Sequence, residues 1–334
     1  YEDRQASQSE LAAMKSLLQE ALQQGAAGFS SGLWYIPGRF ADSAELKELA
    51  TVLRGSGKPY CTHMRNEGDT LLESLAEAIE IAKSGDGILQ VSHFKTSQQR
   101  NWNKLDAALG MVEKARAEGM QIFADRYPYT YSSTSLRMVV PPPYNKIDSG
   151  SLTKLLQESA QEREKLAKLL ETGNGERDNW DKIILVISSA PEHAKLYGKN
   201  MLQIAEQLGM SAAQACVKLL SEASPSAAFG SMSEENLKGF LAQPWVLAGS
   251  DGSIFAFTDG RTHPRAFGSF PRFFQLARQQ ASIESVIQRM SALSARQFRL
   301  CGRGRLVPGY FADLVIFEPD NYLSAADYGK SNVA

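Results

Sequence analysis

Four histidines occur in the chain, His63, His93, His193 and His263. Two of them stand in matching places. His63 follows the apolar run at 59–62 and His93 follows the run at 88–92, so each closes a predicted strand. They are 30 residues apart, close to one strand–helix repeat. On adjacent parallel strands the two imidazoles would stand side by side at one rim of a sheet. Neutral imidazole is a good zinc ligand, yet each ring could equally be a satisfied polar group at a strand end. Asp251 follows the apolar run at 244–248 in the segment GSDG. Beside a dication, an aspartate there can bind the metal, or hold a water and take its proton. Ser250 and Gly252 would also suit a plain turn or helix N-cap.

The elements needed to present these groups are legible in the hydrophobic pattern. Leu11, Met14, Leu17, Leu18 and Ala21 share one helix face, stopped at Gly25. A helical segment at 43–54 precedes the first histidine strand. Leu72, Leu75, Ala76 and Ile79 mark the helix before the second. Leu105, Ala108, Leu109, Val112 and Ala115 mark another, followed by a strand at 120–124. Helices alternating with short strands imply a parallel sheet. The strands are apolar throughout, as when both faces are covered. Each ends in polar residues, FSSG, THMRNE, SHFK and ADRYPYT, where (β/α)8 barrels and open doubly wound sheets keep their chemistry. After PPPY at 141–144 the alternation loosens, with a charged helical stretch at 152–170 and a polar loop at 172–181, which reads as an insertion over about 140–243. A last apolar strand is expected at 312–317.

The segments GFSSGLWYIPG (28–38), THMRNE (62–67), SHFK (92–95), ADRYPYT (124–130), GSDGS (249–253), HPRAFGSFPR (263–272) and GRLVPGYFADLVIF (304–317) occur in order. Together, over about residues 25–320, they resemble the D-aminoacylase (N-acyl-D-amino-acid deacylase) family of the amidohydrolase superfamily. The resemblance implies an α/β fold: a partial (β/α)8 barrel over 1–300 with the insertion before its last strand. Residues 301–334 would be the remnant of a small β-sandwich. It implies zinc held by His63 and His93, from barrel strands five and six, and Asp251 as the strand-eight acid/base. Lys95, Tyr127 and Arg265 would hold a substrate carboxylate, for which ammonium, hydroxyl and guanidinium donors are suited. The implied reaction is hydrolysis of N-acyl-D-amino acids to a D-amino acid and a carboxylate. A cyclic amidase of dihydroorotase or hydantoinase type is the alternative on the same barrel. The superfamily's opening HxH pair is missing here. That reads as a fragment lacking strands one to three, and an inactive one is the third alternative. Cys61 would share a strand face with His63, although a small buried side chain is its ordinary reading. His193 is expected to be exposed, and Cys216 and Cys301, in helix-like surroundings, to be core. His263 either lines the site or serves local structure.

Composition excludes other classes. With 36 basic and 37 acidic residues the formal charge is -1, which offers no field for nucleic acid or an anionic membrane. No apolar stretch reaches the ~18–20 residues of a membrane span. Three scattered cysteines without CxxC spacing, and a start at YEDRQASQSE without an apolar leader, imply a cytoplasmic protein, and the resemblance implies that its partner is a small-molecule substrate.

Overall fold

The computed structural model describes residues 3–172, 179–254, 262–328 and 331. The polar segment at 172–181 lies partly outside them. Among the described residues eight strands occur: β1 (Phe29–Gly32), β2 (Tyr60–His63), β3 (Ile88–Val91), β4 (Gln121–Arg126), β5 (Tyr131–Ser135), β6 (Ile183–Ile187), β7 (Ser226–Gly230) and β8 (Val246–Ala248). They divide between two units.

The first unit comprises Tyr1–Pro128, Met232–Asp251 and Ser269–Leu323. Its sheet is five-stranded and parallel, in the order β1-β2-β3-β4-β8. Alternate side chains point to opposite faces. Tyr60, Thr62, Leu89, Val91, Ile122, Ala124 and Val246 are buried against the helical layer. Cys61 and His63 alternate with them and are only half-buried. The helix Leu71–Ser84 packs Leu71, Leu75, Ala78, Ile79 and Ala82 into this core, and Leu105–Ala117 adds Ala108, Val112 and Ala115. Local chemistry sets their limits. Ser7 and Glu10 form a capping box at the start of the helix Gln8–Gln23, and Asp42 caps the helix Ser43–Ala50.

The second unit comprises Tyr129–Ser231, Gly252–Gly268 and Ser324–Ala334. It is built on an antiparallel sheet, β5-β7-β6. It has its own core, including Leu136, Leu152, Leu166, Leu185, Ile204, Cys216 and Leu220. The helical stretch beginning at 152 is two helices, Ser149–Glu158 and Ala160–Glu171, because Ser159 caps the second. The helix Glu234–Ala242, expected to lie in the insertion, packs in the first unit. There Leu237 and Leu241 meet Phe273 and Phe274, and Phe240 lies 4.9 Å from Phe94 between ring centroids.

Three expectations are corrected. Residues 312–317 form no strand: no described segment pairs with them, and Val315 and Ile316 are 80% and 99% exposed. A strand needs a partner for its N–H and C=O groups. His193 is buried rather than exposed. Its Nδ1 lies 2.7 Å from Ser188 Oγ and its Nε2 2.8 Å from Glu222 Oε2, which satisfies both ring nitrogens. Cys301, read as core, is exposed beyond the helix Ala292–Gln297.

Candidate metal centre

His63 is the last residue of β2 and His93 stands two past the end of β3. The spacing argument therefore holds, and the ring centroids are 4.4 Å apart at 72°. His93 sits at φ +39°, a conformation a non-glycine residue rarely adopts. Asp125 on β4 supports it. Its Oδ1 accepts the His93 N–H at 2.8 Å, and its Oδ2 accepts from Gln90 Nε2 at 2.7 Å. The glycine of GSDG has a structural reason here. A Cβ on Gly249 would lie 2.9 Å from Asp125 Oδ1.

A third group with a possible ligand atom, which sequence reasoning missed, lies beside them. Glu67, last residue of HMRNE, lies with His63 and His93 so that one ligand atom of each falls within 4.8 Å of the others. The intervening residues turn the chain back. Met64 is buried in the core. Arg65 donates to both carboxylate oxygens of Glu77, at 3.0 and 2.9 Å, and to the carbonyls of Arg39 and Ala41. Asn66 Oδ1 accepts from the N–H groups of Gly68 and Thr70. Ser97 N–H then donates to Glu67 O at 2.7 Å. The signal available in the sequence was the position of Glu67, four residues beyond a candidate ligand.

The electrostatics favour metal binding. Burial pushes the His63 pKa down to about 4, and the neighbouring His93 and Lys95 push the same way against Glu67. His63 is therefore neutral near pH 7, as a ligand must be. Burial alone would raise the Glu67 pKa. Lys95 and His93 outweigh it and hold the carboxyl well below the usual carboxylate range. Two imidazoles and one carboxylate form a donor set that zinc accepts, so the residues present fit the metal. Cys61 does not join them. Burial, aided by the Asp125 carboxylate, pushes its thiol up to about 12, away from the thiolate form that ligates.

The other site residues are distributed as follows. Lys95 is 3% exposed. Its Nζ donates to Glu67 Oε1 at 2.5 Å and lies 2.7 Å from His93 Nδ1. Tyr127 is buried, with the Lys95 ammonium 5.9 Å and the Arg126 guanidinium 4.5 Å from its ring centroid. Asp251 is exposed three residues past β8 at φ +47°, and its charge is felt at His63. Arg265 belongs to the second unit, where its Nη2 donates to Ser133 O at 3.3 Å. Its N–H donates to His263 Nδ1 at 3.0 Å, and His263 Nε2 lies 3.1 Å from Tyr131 O. Of the two readings left open for His263, the structure shows the local one: both ring nitrogens are engaged at the start of the helix Arg265–Ala277.

Residues 2–328 match the Amidohydrolase family. The chain belongs to that family. It is 31% identical over 333 residues to the N-acyl-D-glutamate deacylase of Alcaligenes xylosoxydans xylosoxydans, covering 99% of this chain and 59% of that protein. It is 30% identical over 333 residues to the D-aminoacylase of the same organism, covering 97% and 58%. A crystal structure of N-acyl-D-glutamate deacylase from Bordetella bronchiseptica, complexed with zinc and a phosphonate mimic of the tetrahedral intermediate, superposes with a TM-score of 0.78. Identity is 31%, and the match covers 99% of this chain and 61% of that one. A D-aminoacylase structure gives a TM-score of 0.76 at 27% identity. The chain thus spans about three fifths of the length of these relatives. The expected α/β fold is shared with both structures, and five parallel strands of the barrel are in this chain.

Proposed function

We infer that this member of the Amidohydrolase family carries the zinc-binding and acid–base part of an enzyme that hydrolyses N-acyl-D-amino acids, releasing a D-amino acid and a carboxylate. The observation that carries the reading is the convergence of His63, Glu67 and His93 at the strand ends of the parallel sheet. It is supported by relatives named for deacylating N-acyl-D-glutamate and N-acyl-D-aspartate.

His63 and His93 are the residues that would hold zinc. When bound, the metal supplies Lewis acidity, which polarises a carbonyl oxygen and acidifies water. Asp251 accepts the proton of the attacking water and returns it to the leaving nitrogen. Its exposed position past β8 leaves it accessible to solvent. Lys95 and Tyr127 take the substrate's α-carboxylate, and Arg265, in the second unit, is given a carboxylate-binding role by the family resemblance alone. A carboxylate leaving water needs cations and donors to offset its desolvation. Fixing that group sets which face of the Cα is presented. The partner is a small N-acyl-D-amino acid, and the location is cytoplasmic, a reading supported by the free cysteines.

The test is hydrolysis of N-acetyl-D-methionine, N-acetyl-D-glutamate and their L-enantiomers. Dihydroorotate and a hydantoin serve as cyclic controls. The assay uses this chain and the same chain extended to the length of its relatives. Turnover of the D-compounds alone is expected. Turnover confined to the cyclic amides would overturn the substrate assignment.

A further inference from the structure

His193 has no part in the zinc and substrate roles above, yet it joins three elements of the second unit. Ser188 stands one residue past β6, His193 lies in the short 3-10 helix Pro191–Leu196, and Glu222 ends the helix Ala212–Glu222. The imidazole is 2.7 Å from Ser188 Oγ through Nδ1 and 2.8 Å from Glu222 Oε2 through Nε2. Its side chain is 2% exposed and that of Glu222 is 26% exposed, while Ser188 is half-buried. Burial alone would raise the Glu222 pKa, but its bonds to Lys218 and His193 outweigh that and lower it. For a neutral imidazole the hydrogen bonds then run in one direction. An ionised carboxylate only accepts, so the hydrogen between it and the ring belongs to Nε2. Nδ1 is left as an acceptor, and the hydrogen it receives is that of the Ser188 hydroxyl. Ser188 Oγ accepts in turn from Ala190 N–H at 3.2 Å. The Ser188 backbone is fixed as well. Its N–H donates to Tyr197 Oη at 3.0 Å, and Tyr197 Oη donates to its carbonyl at 2.9 Å.

We propose that Ser188, His193 and Glu222 form a second hydrolytic site, independent of zinc, in which Ser188 is the nucleophile toward short, uncharged esters. A hydroxyl within hydrogen-bond reach of a base, itself oriented by a third group, is the arrangement that makes a serine reactive. Ser188 Oγ attacks the ester carbonyl carbon as its proton passes to His193 Nδ1. Glu222 Oε2 stabilises the imidazolium so formed. The bond from carbonyl carbon to alkoxy oxygen then breaks, and the alcohol leaves with the proton from Nδ1. Water next attacks the Ser188 ester and gives a proton to Nδ1. The carboxylic acid departs as that proton returns to Ser188 Oγ. Glu192 bounds the substrate class. One of its carboxylate oxygens lies within 4.8 Å of a ring nitrogen of His193 and an oxygen of Glu222. A further negative charge brought there is repelled, so anionic acyl donors, N-acyl-D-amino acids included, are disfavoured. Ser189 and Glu192 are exposed, which leaves the flank of the nucleophile open to a small donor from solvent.

The experiment treats the chain with a fluorophosphonate and maps the adduct by peptide mass spectrometry. Ser188 Oγ displaces fluoride from phosphorus, so the label reports the nucleophile without turnover. A label on Ser188 is expected. It should be lost in Ser188→Ala and form roughly 10²–10⁴-fold more slowly in His193→Gln, the usual contribution of a general base, on chains whose folding is confirmed by circular dichroism. Glu222→Gln keeps an acceptor for the Nε2–H but not the charge, and slower labelling is expected there too. Hydrolysis of p-nitrophenyl acetate should fall in the same variants and survive a zinc chelator. Ser189→Ala, which removes the neighbouring exposed hydroxyl, should match the unmodified chain in both assays. Absence of a label on Ser188 in the unmodified chain overturns the proposal, and that result needs no variant. So do equal labelling rates in the unmodified chain and a folded His193→Gln or Glu222→Gln, which would leave a merely accessible serine. Ester hydrolysis abolished by the chelator overturns it as well, because the zinc centre would then be the esterase.

Discussion

At the scale of single residues, the account separates groups that hold metal from groups that move protons or hold substrate. Asp251→Asn is expected to lower kcat by roughly 10²–10⁴-fold, the usual worth of a general acid–base group, with zinc content unchanged. Loss of zinc in that variant would make Asp251 a ligand first. Lys95→Met removes a charge-assisted bond worth about 1.5–3 kcal/mol. It should raise KM for N-acetyl-D-methionine by roughly 10–150-fold, the same energy expressed as a ratio. An unchanged KM would mean that Lys95 serves only Glu67. The side-by-side placing of His63 and His93 was legible because each follows a legible strand, while Lys95 came from the family resemblance. Glu67 was not, because its place depends on how Arg65 and Asn66 fold the loop, and no periodicity encodes that. Asp125 was missed for a related reason. It follows the apolar run at 120–124 and acts through the backbone of His93, two residues past the end of the neighbouring β3.

At the scale of elements, close approach and buried polarity set the vulnerable points. Gly249→Ala would place a methyl group 2.9 Å from Asp125 Oδ1. The aspartate must then shift from the His93 N–H, so weaker zinc binding is expected with little change in melting temperature. Retained zinc affinity would show that Asp125 does not support His93. In the second unit, His263 is 2% exposed, and burial with the Arg265 charge holds its pKa well below the ordinary value. The unfolded chain, titrating near pH ~6.5, takes up a proton before the folded one does. His263's contribution is therefore complete above that pH and is lost as the pH falls below it, at up to about 1.4 kcal/mol per pH unit. Melting temperature between pH 7.5 and 5 should fall more steeply than in His263→Asn, whose amide oxygen can still accept the Arg265 N–H. Parallel slopes would refute a buried neutral imidazole. The helices and parallel strands were readable because apolar faces recur at helical spacing and buried strands are continuous apolar runs. β5 (YSSTS) was missed because it is polar and does not alternate, and β7 (SAAFG) because its apolar run is only three residues long. They pair with each other through backbone groups that any residue supplies.

At the scale of the whole molecule, the order of motifs along the chain was informative well beyond any one of them. It led to the α/β barrel that the family match and the two solved structures share. The strand expected at 312–317 was misread, because a strand is a property of a pair of segments and no described segment pairs with this apolar run. Among the described residues no helix is long and apolar enough to cross a membrane. The central claim is that the histidines at the ends of β2 and β3 hold zinc, and equilibrium dialysis against zinc tests it most directly. One bound zinc per chain is expected, with affinity falling at least tenfold in both His63→Ala and His93→Ala, since each removes a ligand rather than an outer partner worth 10–100-fold. Equal zinc binding in the unmodified chain and both variants would contradict the account.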